Sequence, residues 1–359
     1  MTRTRGGQAA RYPRHAAAFS LIELMVALAI GTLLLAGVVQ IFVGNKESYR
    51  FQQALSRVEE TGRYSVSRIS RDMRMAGYQG CGGSAMEIAD YRKNPPASLA
   101  TQFTDGVRGF TVDSVGIKAD NPPLLKDAPV TPDAGSEGLV VSRMSDTNIT
   151  FEDTDPPAIA VKKDGDKDRE AFKKCDVVFM VDRDCGFGRA FVAGSSENAA
   201  KMNFNGTGSC ATGNVKHKGL SPGWPGDTGD SRALKVERFI YYIKTNDNGE
   251  PTLHRWTGNG QGTGKEVELV EGVEAMHVEY GVDTGKEENA VDEYKTVDSV
   301  SNWDKVLAAR VSFLVRSREN NITETSQTVS WPPGKTFTPA DTRLRQVFTT
   351  TIAFRNRLP

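Results

Sequence analysis

The chain is 359 residues long and sets 45 Lys and Arg against 45 Asp and Glu, a formal net charge of zero. That balance lacks the basic excess of a nucleic-acid footprint, so no nucleic-acid partner is expected. The length allows one large domain or two small ones beside an anchor, and a composition rich in Gly, Asp, Thr and Ser points to sheets and loops.

The first element is a leader with Arg3, Arg5, Arg11 and Arg14 and no acid. From Leu24 to Val43 no residue is charged. At about 1.5 Å per residue, such a helix rises about 30 Å, the thickness of a hydrocarbon core. The positive-inside rule keeps the leader in the cytoplasm and sends the rest across the membrane. Gly44 to Arg50 offers no small-residue cleavage pattern, so the apolar run reads as retained. Glu23 is the exception at its start. A carboxylate deep in a membrane costs on the order of 2–3 kcal/mol, less near the interface. Glu23 therefore either rests among headgroups or needs a partner.

Helical spacing continues beyond the membrane run. Leu55, Val58, Gly62, Val66, Ile69, Met73 and Ala76 recur at steps of three and four. Arg57, Glu59, Glu60, Arg63, Arg68, Arg71, Asp72 and Arg74 are assigned to the rest of the helix surface. Gly77, Gly80, Gly82 and Gly83 supply a stop. The pattern predicts one helix from Phe19 to about Ala76, roughly 85–90 Å long, whose second half packs on a domain. A membrane helix followed by a separate coiled coil is the other arrangement it allows. Gly31 and Gly37 provide either local flexibility or close helix packing.

After Ser84 the chain reads as strands and long loops. Strands are expected at 138–142, 176–181, 234–243, 251–256, 267–270, 273–280, 306–315 and 347–354. Asp247-Asn248-Gly249 gives a hairpin signal, and Phe348, Thr350, Ile352 and Phe354 share one face. Loops are expected at 118–136, 194–231, 283–303 and 331–342. The fold class is α+β: a long helix laid on a mostly antiparallel sheet.

All four cysteines, Cys81, Cys175, Cys185 and Cys210, follow the membrane run, which suggests two disulfides in an oxidising compartment. Cys175 and Cys185 flank an apparent strand. Ten extended residues span roughly 30 Å, far more than a bridge allows. That leaves Cys81 with Cys175 or Cys185, and Cys210 with the other. The four histidines lack metal-ligand spacing, and no nucleophile elbow or phosphate-binding glycine motif occurs. The acidic stretches Asp164–Asp168 and Asp283–Asp292 fit no EF-hand register. No metal, cofactor or enzymatic activity is expected.

Phe19-Ser20-Leu21-Ile22-Glu23-Leu24-Met25, with the basic leader and the apolar run, resembles the signal of type IV prepilins and type II secretion pseudopilins. The segments 59–64 and 69–82, and the C-terminal stretches 269–274, 280–284, 309–317 and 345–357, are similar to the PilW family of minor pilins. The resemblance implies a type IV pilin-like fold. It implies cleavage between Ala18 and Phe19 by prepilin peptidase, N-methylation of Phe19, and docking through Glu23, which neutralises a terminal amine in a fibre core. The family nearly always has Gly before the cut, where this chain has Ala18.

On this reading residues 1–18 are a cleaved leader, 19–43 the transmembrane and fibre-core half of the helix, 44–78 its amphipathic half, and 79–359 the head. The implied function is that of a minor pilin in the complex that primes pilus assembly and sits at the fibre tip. Its implied partners are other minor pilins, the major pilin and a large tip adhesin. The protein would reside in the inner membrane, head in the periplasm, before reaching the tip of a pilus such as one used in twitching. The alternatives are a minor pseudopilin of type II secretion, or a periplasmic binding or enzymatic domain on an uncleaved anchor.

Overall fold

The computed structural model describes residues 20–81, 86–93, 106–118, 125, 128–153, 158–161, 172–194, 201–203, 210, 213–214, 231–259, 264–287 and 289–357. Its packing divides the chain into Met1–Gln53 and Ala54–Pro359. The helix α1 (Leu21–Arg74) contributes to both.

In chain order the strands are β1 (Glu87–Asp90), β2 (Val107–Thr111), β3 (Glu137–Asp153), β4 (Ala158–Val161), β5 (Val177–Val181), β6 (Phe187–Val192), β7 (Lys201–Asn203) and β8 (Ser231–Thr245). They continue with β9 (Pro251–Gly258), β10 (Gly264–Glu271), β11 (Val273–Val282), β12 (Glu293–Thr296), β13 (Val306–Arg316), β14 (Val329–Ser330), β15 (Thr336–Phe337) and β16 (Arg345–Ala353). Ten strands form one sheet, ordered β1-β6-β5-β8-β3-β4-β7, with β2 on β3, β9 on β8 and β10 outside β9. A second sheet runs β12-β11-β13-β16. Among these strands only β1 and β6 pair parallel, so the architecture is α+β with a mostly antiparallel head.

Alternation explains how the two sheets and the helix share one core. On β8, Phe239, Tyr241 and Ile243 point to one side, where they meet Val58, Ile69, Met73 and Ala76 of the first helix and its exit turn. From the second sheet Val278, Tyr280, Val311, Phe313 and Ile352 join the same cluster. The intervening Ile240 and Tyr242 pack on the other face with Phe110, Val140 and Trp256. A strand buried on both faces reads as a continuous apolar run, as Phe239 to Ile243 does. At the β8–β9 turn Gly249 takes φ 77°, and the Asn246 carboxamide oxygen accepts from Asn248 N and Glu250 N, both at 3.0 Å.

Two sequence expectations need correction. The segments 194–231, 283–303 and 331–342 are not plain loops. The first contains β7, the second β12 and one short 3-10 turn, and the third β15. Their charged and proline-rich compositions hid short pairings. Asp72 also leaves the solvent-facing set. It is 1% exposed and faces the sheet.

Gly62 sets how closely the helix approaches β16. A Cβ built there would lie 2.3 Å from ring atoms of Phe348. Gly62→Ala is expected to destabilise the protein by roughly 1–3 kcal/mol through overpacking. Adding Phe348→Leu should recover part of the loss in a thermal melt. An unchanged melting temperature in the single variant would contradict this packing.

The sheets are also joined by a polar link. Nδ1 of His277 on β11 lies 2.8 Å from Oε1 of Glu137 on β3, and Val278 N donates to Glu137 Oε2 at 3.0 Å. The bond from Glu137 raises the His277 pKa above its ordinary 6.5, against the opposing effect of burial. A raised folded-state pKa gives stability that is complete below pH 6.5 and is lost as pH rises through the folded value. Glu137→Gln should flatten that loss. Urea titrations across pH 6–8 with equal slopes for both proteins would contradict the link.

Candidate functional site

The N-terminal part of the site is one helical turn followed by an apolar surface. Glu23 N donates to Ser20 Oγ at 3.2 Å and to Ser20 O at 3.1 Å, so Ser20 caps the helix. Glu23 therefore lies in the first turn, where the helix dipole favours a negative charge. Its side chain is exposed, and among the described residues the carboxylate has no hydrogen-bond or ion-pair partner. Ala18 and Phe19 lie outside the described residues.

From Leu21 to Val43 the large apolar side chains are exposed, Leu21 at 80% and Phe42 at 68%. This helix is long and apolar enough to cross a membrane by length and composition. Exposing so much apolar surface to water is unfavourable at about 25 cal/mol per Å², so lipid or protein must cover it. The helix continues through Gly31 and Gly37, and nothing lies within 4 Å of a Cβ built at either.

The second part of the site is the seat that fixes the helix end in the head. Within Arg71–Cys81, Asp72, Met73, Ala76, Gly77, Tyr78, Gly80 and Cys81 make the contacts that hold it. Asp72 takes a short hydrogen bond from the Tyr241 hydroxyl and another from Arg255 Nη1 at 3.2 Å. Arg68 and Arg143 each approach it within 3.8 Å. Burial, with the charge of Asp72 beside it, pushes the Tyr241 pKa far above its usual value, so the hydroxyl stays a donor. Met73 and Ala76 fill the core.

Gly77, at φ 71°, ends the helix, and its N–H donates to Ser142 O at 2.9 Å. Asn356 Nδ2 donates to Ala76 O at 3.1 Å, and Met144 N to Tyr78 O at 2.8 Å. Gly80, at φ 86°, turns the chain, and Arg232 Nη2 donates to its carbonyl at 2.6 Å. Cys81 then closes a disulfide with Cys185, Cα atoms 6.0 Å apart.

The second disulfide joins Cys175 to Cys210, with Cα atoms 5.3 Å apart. Of the pairings left open by the sequence, the structure forms 81–185 with 175–210. Cys175 and Cys185 sit at opposite ends of β5, which is why they do not bridge each other.

A third polar system lies at the far end of the second sheet. The Arg345 guanidinium, 1% exposed, bonds Glu274 at 2.6 and 3.0 Å and Asp341 at 2.5 and 3.0 Å. The Arg345 bond holds the Asp341 pKa at about 2. Arg316 pairs with Glu250 at 3.1 Å, and Arg57 of α1 with Glu319 at 2.9 Å. These pairs border a groove of about 560 Å³ between Ala54–Tyr64 and the strand ends near Gly272 and Arg316.

In the acidic stretch 283–292, the Asp292 carboxylate accepts from Thr284 N and Oγ1, both at 2.8 Å, and from Lys286 N at 3.2 Å. The loop thus satisfies its own carboxylate. Asp164–Asp168 lies outside the described residues. Among the described residues no three His, Cys, Asp or Glu side chains are grouped to hold a metal ion.

Sequence reasoning missed Asp72 as a seat residue. Its spacing carried the signal, since Ser65, Ile69, Asp72 and Ala76 step by four, three and four along the buried stripe. It also missed Tyr241, Asn356 and the ion pairs of Arg345, whose partners come from distant strands.

Comparison with known families places this geometry. Residues 240–356 match the family described as Type IV Pilus-assembly protein W. Residues 13–39 match the prokaryotic N-terminal methylation motif. The resemblance to the PilW family is borne out over the C-terminal segment, together with the prepilin signal at the N-terminus. Residues 59–82, within which the seat at 71–81 lies, are outside both matches. No curated protein and no solved structure matches the chain.

Proposed function

We propose that this pilin-related chain, with its prepilin methylation motif and PilW-like C-terminal segment, is a minor pilin that helps prime type IV pilus assembly and sits at the fibre tip. Prepilin peptidase cuts between Ala18 and Phe19 and methylates Phe19. Before assembly the apolar half of α1 holds the protein in the inner membrane, with the head in the periplasm. On incorporation Glu23 pairs with the terminal amine of a neighbouring pilin. The neighbours are other minor pilins and the major pilin, and a large adhesin is the candidate cargo at the tip.

The observation that carries this reading is the combination of Glu23 in an exposed first turn and the uncovered apolar surface that follows it. In a low-dielectric fibre core an isolated carboxylate is costly, whereas one matched to a neighbour's amine sets register. The test is Glu23→Ala expressed in place of the wild-type chain. The variant should accumulate in the membrane and be depleted from sheared fibres, and piliation should fall. Normal piliation with the variant incorporated at the wild-type level would refute the docking role.

A further inference from the structure

We propose that the outer edge of β16, from Thr349 to Ala353, is a docking site for an extended segment of another pilus subunit. The segment pairs antiparallel, is uncharged along the pairing, and begins with a carboxylate that meets Arg355. The identification of the partner as a pilus subunit rests on the function proposed above.

The direction of the backbone groups follows from the ladder. β16 pairs with β13 on one side, from Ala308↔Ala353 to Arg316↔Arg345, with no register shift. Ser317 N donates to Leu344 O and Phe354 N to Leu307 O, so the even-numbered residues direct their N–H and C=O toward β13. Odd-numbered residues direct theirs outward. At Arg345 this outward pair is already used: Arg345 N donates to Gln327 Oε1 at 2.8 Å and Gln327 Nε2 donates to Arg345 O at 2.9 Å. A side-chain amide thus stands where the next strand's backbone would be. β14 packs against β16 next to it, and beyond, at Thr349, Thr351 and Ala353, the outward N–H and C=O groups have no partner among the described residues. Thr349, Thr351 and Ala353 are exposed.

Long edge strands are normally blunted by charge, proline, bulges or brevity. Several other edge strands among the described residues follow that rule. β10 carries Lys265, Glu266, Glu268 and Glu271 and a register shift between Glu268 and Val270. β1, β7 and β12 have four, three and four residues. β16 has nine residues and, from Gln346 to Phe354, no charge and no proline. Its Thr-rich sequence favours strand pairing. It is the kind of edge to which an extended peptide adds a strand.

Charge selects the occupant. In an antiparallel pair the partner's leading residue lies beside the C-terminal end of β16. Arg355 stands there, exposed and without a carboxylate among the described residues. A carboxylate-led strand supplies the counter-charge that Arg355 lacks among the described residues.

The test uses the full-length chain in detergent micelles and three synthetic peptides. They are Asp-Val-Thr-Val-Thr-Val, its Lys-led counterpart, and the Asp-led peptide N-methylated at alternate amides. The Asp-led peptide should bind about two- to fivefold more tightly than the Lys-led one, the range of an exposed ion pair. Arg355→Glu should reverse that preference. N-methylation should abolish binding. Thr351→Pro removes only an outward N–H, so it should abolish binding of both unmodified peptides with little change in melting temperature. Absence of binding, equal binding of the two charges, or binding that survives N-methylation would overturn the proposal. A dimer of the chain that Thr351→Pro dissolves would overturn the choice of partner in favour of a second copy. None of these results alters the Glu23→Ala outcome, so the two readings fail separately.

Discussion

Asp72→Ala should lower the stability of the head by about 3 kcal/mol, near the lower end of the cost of breaking a buried ion pair by removing one partner. The Asp72 side chain is 2% exposed, and those of its cationic partners Arg68, Arg143 and Arg255 are 16–22% exposed. Removing the carboxylate leaves three guanidinium groups facing one another and a Tyr241 hydroxyl without its acceptor. The partial solvation of the arginines keeps the loss from being larger. For a unit running from Ala54 to Pro359 the change is roughly 5 °C in melting temperature. Tyr241→Phe should cost only about 1–2 kcal/mol, because the ring stays in the core and the carboxylate keeps Arg255. The double variant should fall short of the sum of the singles, the signature of residues in direct contact. Additive effects within about 0.3 kcal/mol would contradict the network.

Removing the Cys81–Cys185 bridge should have the largest effect of any pair substitution. The bridge spans 104 residues, and closing a loop of about that length is worth about 4.7 kcal/mol in the chain-entropy account. Cys175–Cys210 spans 35 residues, for which the same relation gives about 3.8 kcal/mol. Cys81→Ser with Cys185→Ser should therefore destabilise more than Cys175→Ser with Cys210→Ser. The position sharpens the difference. Cys81 follows directly on the seat, so its release frees the turn that holds Gly77 and Gly80. Chemical denaturation of the two double variants gives the order, and the reverse order would show that the seat does not depend on this bridge.

Much of the head was legible where side-chain type and spacing agree. β16 shows alternation in Phe348, Ile352 and Phe354, and Asn248-Gly249 marks the β8–β9 turn. β6 was not legible because Gly188 and the buried Arg189 interrupt its apolar run. β1, β4 and β7 have four residues or fewer and no pattern long enough to read. Asp72 was misplaced because residue type outweighed spacing: a carboxylate among arginines looks like a solvated face until Tyr241 and Arg255 are brought beneath it. The disulfide partners could be narrowed by strand length but not chosen, since the choice depends on which end of β5 lies near the helix exit. The contact of Asn356 with Ala76 closes 280 residues of chain, and no local pattern encodes it. Glu23 was the reverse case. Its chemistry was evident from the sequence, and the structure adds its cap by Ser20 and its exposure.

The measurement that bears most directly on the central claim is the N-terminus of the mature protein from its native membrane, determined by mass spectrometry. A pilin processed for assembly begins at Phe19 and carries one methyl group on the terminal amine. A mature chain that retains the arginine-bearing leader, or one cut after Val43, would contradict the account.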